Sequence, residues 1–217
     1  MRPEEAAYIG EILAAHPVHK ISPALELGSS SLRFRTVEKP HIAREIHTRL
    51  ASLSAQLITS DMKSGEGVDI SGDIYDAVVQ QRLINVGARC LLCCNILEHV
   101  TDRSAFAEIC DRLLSPGGLL VVSVPQSYPY HPDPIDTYYR PKLGELADLF
   151  PGYAVLHAHT VISTTYLQDA GLIGVLRAGL RSALLRGGWE LTKGRAHRLL
   201  WTFRPYRQSV VVLQKPA

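Results

Sequence analysis

Residues 93–125 read CCNILEHVTDRSAFAEICDRLLSPGGLLVVSVP. The segment begins inside an apolar run, ARCLLCC, which reads as a buried strand with cysteine serving as a small hydrophobe. Asp102 is a good N-cap for a helix expected from Arg103 to Leu114. Ser115-Pro116-Gly117-Gly118 is a turn by composition, and Leu119 to Val124 reads as a fully buried strand. Strand, helix and strand in that order imply an α/β fold with a mostly parallel sheet.

The same alternation continues in both directions. Upstream, a helix is expected from Pro3 to Ala15, with proline where a helix start tolerates it. A short strand, Pro23 to Leu27, ends at Gly28. After a loop come a helix over 40–53, a strand from Gln56 to Thr59 that ends near Asp61, and an edge-like strand from Val68 to Ser71. A helix from Ile74 to Ile84 leads into the cysteine-rich strand. Downstream, residues 125–141 hold five prolines and cannot be regular for long. A short helix over 142–150, a strand over 153–161 and a last strand over 209–213 follow. About 45 residues between those last two strands are too many for a structureless loop. The expectation is one domain over 1–217, with a basic helical insertion at 162–208.

Composition narrows the field. The chain has 217 residues, 46% hydrophobic and 20% charged, which excludes disorder, collagen and coiled coil as whole-chain readings. No stretch approaches the roughly 18 apolar residues of a membrane span. Glu4, Glu5 and Glu11 interrupt the apolar pattern of the first helix, so it does not read as a signal peptide, and a cytoplasmic protein is expected. Cys90, Cys93 and Cys94 formally contain C-x-x-C, but no second cysteine pair completes a zinc set. Charge is uneven. Residues 171–217 carry nine Lys or Arg against one acid, a net +8, which leaves −6 on the rest of the chain. Such asymmetry points the C-terminal part at an acidic partner or surface.

The 93–125 segment resembles the small-molecule branch of the class I S-adenosylmethionine (SAM) dependent methyltransferases, with its strand, L-E-H-V, helix ending R-x-L-x-P-G-G, and next strand. The turn Glu26-Leu27-Gly28-Ser29-Ser30-Ser31 resembles that family's first motif, E-x-G-x-G-x-G; Glu26 and Gly28 are kept, and serines follow in place of glycine. The resemblance implies a Rossmann-like, doubly wound, mostly parallel seven-stranded sheet whose last strand is antiparallel, and SAM as cofactor. It places Glu26, Gly28, Ser29, Ser30 and Ser31 at the cofactor. Asp61 would accept both ribose hydroxyls, as a carboxylate can. Asp73 would lie near the adenine, and Asn95 and Ile96 at the methionine end. Asp73 could equally cap the helix that follows it. Loss of the later glycines supports a rival reading, a methyltransferase-like binding protein without catalysis.

Glu98 and His99 either fix the start of the following helix or supply His99 as a general base. Asn95-x-x-Glu98-His99 is similar to the E-x-x-E-H divalent-metal motif of ubiquinone-type and small-RNA O-methyltransferases. Asparagine removes a charge that Mg²⁺ would want, so no metal is expected. Just past the fifth strand, Tyr128-Pro129-Tyr130-His131-Pro132-Asp133-Pro134-Ile135-Asp136-Thr137-Tyr138-Tyr139-Arg140-Pro141 reads as a wall of the acceptor pocket. His131 is a candidate base and Asp136 a candidate catalytic acid; alternatively Asp136 pairs Arg140 in a rigid lid. A histidine base implies O-methylation; the acceptor implied by the resemblance is a small molecule, and one that is amphipathic or lipid-linked if the basic segment meets a membrane. The basic segment 171–207, with apolar helix, arginines and aromatics, reads as a substrate lid or a peripheral membrane contact. Nucleic acid is not an expected partner, since the rest of the domain is acidic.

Overall fold

The computed structural model describes residues 1–131, 135–184 and 195–217, the side chains of 181–184, 195 and 196 apart. Seven strands form one sheet: β1 (Ala24–Leu27), β2 (Leu57–Asp61), β3 (Ile70–Ser71), β4 (Ala88–Cys94), β5 (Leu114–Ser127), β6 (Ala154–Ile162) and β7 (Arg207–Gln214). Their order is β3-β2-β1-β4-β5-β7-β6. The ladders among β1 to β5 are parallel, and β7 runs antiparallel to both β5 and β6. The sheet is therefore the expected doubly wound one, and its strand order reverses between β1 and β4. Ligands bind outside the carboxyl ends of strands at such a switch point.

Both faces of the sheet are covered. The helix Pro3–Ala15 and the helical segment 40–52 bury Ile9, Leu13, Ile46 and Leu50 on one face. The helices Ala77–Ile84, Arg103–Leu113 and Leu143–Ala147 bury Leu83, Phe106, Leu113 and Leu146 on the other. Side chains alternate along β4, so Cys90 packs on the first face and Cys93 on the second. Cys93 Sγ lies 3.7 Å from Cys110 Sγ on the helix above it. The C-x-x-C spacing thus points its thiols through opposite sides of the sheet, and the cysteines are core residues.

Several boundaries differ from the expectation for identifiable reasons. Residues 115–118 are not a simple turn but the first part of β5, where the register with β4 jumps between Ala88 and Cys90. Gly117, at φ +70°, donates its amide to the Pro216 carbonyl there. The helix expected from Ile74 begins at Ala77, because Asp76 rather than Asp73 caps it, accepting from the Val78 and Val79 amides. The 40–52 segment contains a wide π-helical turn at Ala43–His47, and a second such turn occupies Phe34–Glu38 in what reads as loop. In the expected insertion, a helix Tyr166–Leu184 kinks at Gly171 and a 3₁₀ segment spans Arg195–Trp201. Trp189 and the arginine at 186 lie outside the described residues. Among the described residues no helix is long and apolar enough to cross a membrane.

Candidate functional site

A cavity of about 670 Å³ opens at the carboxyl ends of β1, β2, β4 and β5. The serine turn after β1 forms one wall. Gly28 has φ +65°, which favours glycine, and a Cβ there would crowd the Ile96 side chain at 3.1 Å. Ser30 also adopts a positive φ, +61°, at a position where the family motif carries glycine. The turn is held from outside the cavity by a residue the motif does not contain. Buried Arg35 donates to the carbonyls of Ser29 (3.3 Å), Ser30 (2.9 Å) and Gly67 (2.7 Å).

Two acids face this turn. Asp61 ends β2, and its carboxylate accepts the Ser30 amide at 2.8 Å and the Lys63 amide at 2.9 Å. Lone pairs remain for further donors from the cavity. Glu26 is buried on β1, 2.8 Å from His47 Nε2 on the 40–52 segment. Glu26, Gly28, Ser29, Ser30, Asp61, Asn95 and Ile96 all line the cavity. Ser31 instead accepts the Phe34 amide and lines a smaller adjoining hollow of about 190 Å³. Asp73 lies outside the cavity lining, its carboxylate accepting the Tyr75 amide in the turn before Asp76.

After β4 the chain turns sharply through Asn95, whose φ is +56°, a conformation asparagine tolerates. Its side-chain amide donates to Glu5 Oε1 at 2.7 Å, and Ser123 Oγ donates to the same oxygen at 2.6 Å. The fully buried Glu5 thus ties the first helix to the ends of β4 and β5. Its signal in the sequence is an acid inside an apolar helical pattern.

The far wall carries the imidazoles. Glu98 and His99 lie on a single 3₁₀ turn, Leu97–His99. His131 comes from the proline-rich segment after β5 and meets them across the cavity. The His99 and His131 rings are 5.4 Å apart, edge to face at 82°. Both Nε2 atoms lie 3.9 Å from Glu98 Oε1. His99 Nδ1 bonds the Ile135 carbonyl, and His131 Nδ1 bonds the Pro129 carbonyl at 3.2 Å. A carbonyl only accepts, so each ring donates from Nδ1, and in the neutral imidazole Nε2 is then the nitrogen with the free lone pair. Glu98 is fully buried, and neither of its oxygens accepts a hydrogen bond of proper geometry from the described residues. Burial pushes its pKa up to about 8. Burial also lowers that of His131, against the opposing pull of the Pro129 carbonyl and Asp136.

Asp136 does not line the cavity. It is buried behind His131 and pairs Arg140 through contacts of 3.0 and 2.6 Å. It also accepts the His131 and Tyr138 amides at 3.1 and 2.9 Å. Burial raises the Asp136 carboxyl, but these donors outweigh it and hold the pKa below the ordinary value. Asp136 is therefore a positioning residue for the His131 segment, as the rigid-lid alternative anticipates. Asp133 lies outside the described residues. Thr137 closes the wall, its amide and hydroxyl both donating to the Glu98 carbonyl at 2.8 and 3.0 Å.

No protein-family model matches the chain, and no curated protein sequence does. Solved structures do match. A Galdieria sulphuraria protein described as a sarcosine dimethylglycine methyltransferase superposes with TM-score 0.51 at 12% identity, over 98% of this chain and 85% of that one. The MccD protein superposes with TM-score 0.51 at 12% identity, over 99% of this chain and 100% of that one. At such identity the likeness is one of fold, and it agrees with the seven-stranded sheet and its antiparallel strand. The chain has the Rossmann-like fold of the class I SAM-dependent methyltransferases.

Proposed function

We propose that this protein is a SAM-dependent methyltransferase acting on a small-molecule or lipid-linked acceptor, with oxygen as the favoured acceptor atom. One observation carries the reading: a single cavity joins the Gly28–Ser30 turn and Asp61 to the bare Nε2 of His131. Its volume suits a cofactor with a small acceptor beside it. The residues fit the cofactor. Gly28 leaves room for close backbone approach, and Asp61 retains acceptor capacity for two hydroxyls.

SAM, when bound, supplies an electrophilic methyl on its sulfonium. The chain's own task is alignment and exclusion of water. The serine turn and Asp61 hold the cofactor end, while Tyr128 and His131 face the acceptor end. His131 Nε2 takes the proton of an acceptor hydroxyl as oxygen attacks, and the Pro129 carbonyl and Asp136 keep the ring oriented. Such base catalysis contributes about 10²–10⁴-fold.

Calorimetric titration with SAM and S-adenosylhomocysteine tests the cofactor reading. Micromolar binding, weakened at least tenfold by Asp61→Ala, is expected. Absence of binding by both overturns it. Binding without turnover on any hydroxylated acceptor, unchanged in His131→Ala, returns the protein to the non-catalytic alternative.

A lipid-linked acceptor is favoured by the helix Tyr166–Leu184. Leu172, Ile173, Leu176 and Leu180 on it are 61–66% exposed, with Arg177 beside them, in the part of the chain that carries +8. An apolar stripe with basic flanks suits an anionic bilayer surface. Co-sedimentation with phosphatidylglycerol vesicles at low salt, lost in Leu172→Ser/Leu176→Ser, is expected. Failure of the wild-type protein to sediment at low salt removes this reading and leaves a soluble acceptor.

A further inference from the structure

We propose that Glu98, His99 and His131 form a binding site for one divalent first-row transition-metal ion. The inference goes beyond methyl transfer, since the site stands on its own geometry whether or not SAM is the cofactor.

The first observation is the carboxylate. Glu98 is completely buried, lines the cavity, and among the described residues has no hydrogen-bond partner of proper geometry for either oxygen. A buried polar group left unpaired costs about 1–3 kcal/mol, more when charged, so native structures pair nearly all of them. Neither imidazole satisfies it, because both Nε2 atoms stop 3.9 Å away. That separation is too long for a hydrogen bond. It is longer by about half an ångström than the ~3.4 Å between two tetrahedral ligands of an ion at about 2.0–2.2 Å each, so the side chains would close in on an ion.

The second observation is the orientation of the rings. Each histidine spends its Nδ1 proton on a backbone carbonyl, Ile135 for His99 and Pro129 for His131. This is the outer-shell arrangement that fixes a metal-binding tautomer and turns the Nε2 lone pair inward. Asp136, locked by Arg140, steadies the His131 side further. One ligand atom from each of the three residues lies within 4.8 Å of the others. Closing the widest of these separations to the ~3.4 Å of tetrahedral ligands takes about 1.4 Å in all, shared between two side chains as rotamer adjustment.

The donor set chooses the metal. Two neutral imidazoles and one carboxylate suit Zn²⁺, Co²⁺, Fe²⁺ or Ni²⁺, whereas Mg²⁺ requires oxygen ligands. Three protein ligands leave coordination positions open to the cavity, the pattern of a site that binds a substrate oxygen. An ion there would occupy the His131 Nε2 lone pair, so in the metal-loaded protein the ion would acidify an acceptor hydroxyl in place of the imidazole base, which serves only the metal-free site. This use, unlike the site itself, rests on the methyl-transfer reading.

The test is titration of the chelator-stripped protein with CoCl₂, followed by visible d–d absorption. Saturation at one ion per chain, displaced by Zn²⁺ and not by excess Mg²⁺, is expected. His99→Ala, His131→Ala and Glu98→Gln should each weaken Co²⁺ binding at least tenfold. Folding is checked by far-UV circular dichroism; if buried Glu98→Gln fails to fold, the two partly exposed histidine variants carry the test. Absence of a Co²⁺ band, displacement by Mg²⁺, or binding unchanged in the histidine variants overturns the proposal. SAM affinity measured on the same stripped protein reports separately on the methyltransferase reading.

Discussion

Arg35 donates its guanidinium to the Ser30 carbonyl at 2.9 Å and holds the serine turn from the side away from the cavity. Glycine-rich turns keep their shape through backbone freedom; here a buried cation gripping three carbonyls supplies the constraint. Arg35→Ala leaves those carbonyls without their charged donor and should cost about 2–3 kcal/mol. Arg35→Lys should rescue part of that, because an ammonium cannot span the carbonyls as a planar fork does. Urea unfolding checks the stability, and SAM calorimetry should show at least a tenfold weaker affinity in Arg35→Ala. Unchanged stability and affinity would show that the turn holds itself.

Ser30 sits at φ +61°, in the left-handed region that side chains disfavour by about 1–2 kcal/mol. Ser30→Gly removes that cost but adds freedom to the unfolded chain, worth about 0.5–1 kcal/mol. The net expectation is stabilisation by about 0.5–1 kcal/mol, read as a raised urea midpoint with unchanged slope.

Arg2 meets Asp169 at 2.8 Å and binds Thr164, which joins the first helix to the start of the Tyr166–Leu184 helix. Burial raises the Asp169 carboxyl, but hydrogen bonds from Arg2 and Thr164 outweigh it, and its folded pKa lies below the ordinary value. A lowered folded pKa means stability present above the unfolded value, near pH 4, and lost as pH falls through the folded value. Asp169→Asn should therefore be less stable at pH 7 and should lose less on acidification from about pH 5 to 2. Parallel pH–stability curves for the two proteins would contradict this.

Gly10 lies where the first helix crosses the 40–52 segment, and a Cβ there would run into the Glu45 backbone carbonyl. Alanine gains about 1 kcal/mol of helix propensity, whereas overpacking against backbone costs about 1–3 kcal/mol. The clash should win. Gly10→Ala is expected to lower the melting temperature, and a raised one would mean that the two segments separate easily.

The parts of the fold that were legible are those decided locally. The apolar run of β4, the Asp102 cap and the buried strand at 119–124 each declare themselves within about ten residues, and the Asp102 side chain does accept the Ala105 amide at 2.9 Å. The turn with Glu26 and Gly28, and the acid ending β2, are adjacent in sequence to the strands that aim them, so their place on the cavity could be read in advance. Asp73 misled because an equally good cap stands three residues later, and local propensity cannot rank two acids at one helix start.

By itself, then, the sequence determined the alternation of strands and helices, hence the α/β class, and the residues at the strand ends. Only the tertiary structure decided what depends on contacts between distant segments. Arg35 reaches Gly67, Glu5 reaches Asn95 and Ser123, and β7 inserts between β5 and β6. Glu98 is visible in the sequence as an acid in L-E-H-V, but its lack of partners among the described residues is not. Burial and hydrogen-bond satisfaction are set by which groups the completed fold brings within about 3 Å of it, and here His131, from beyond the fifth strand, arrives close without bonding to it.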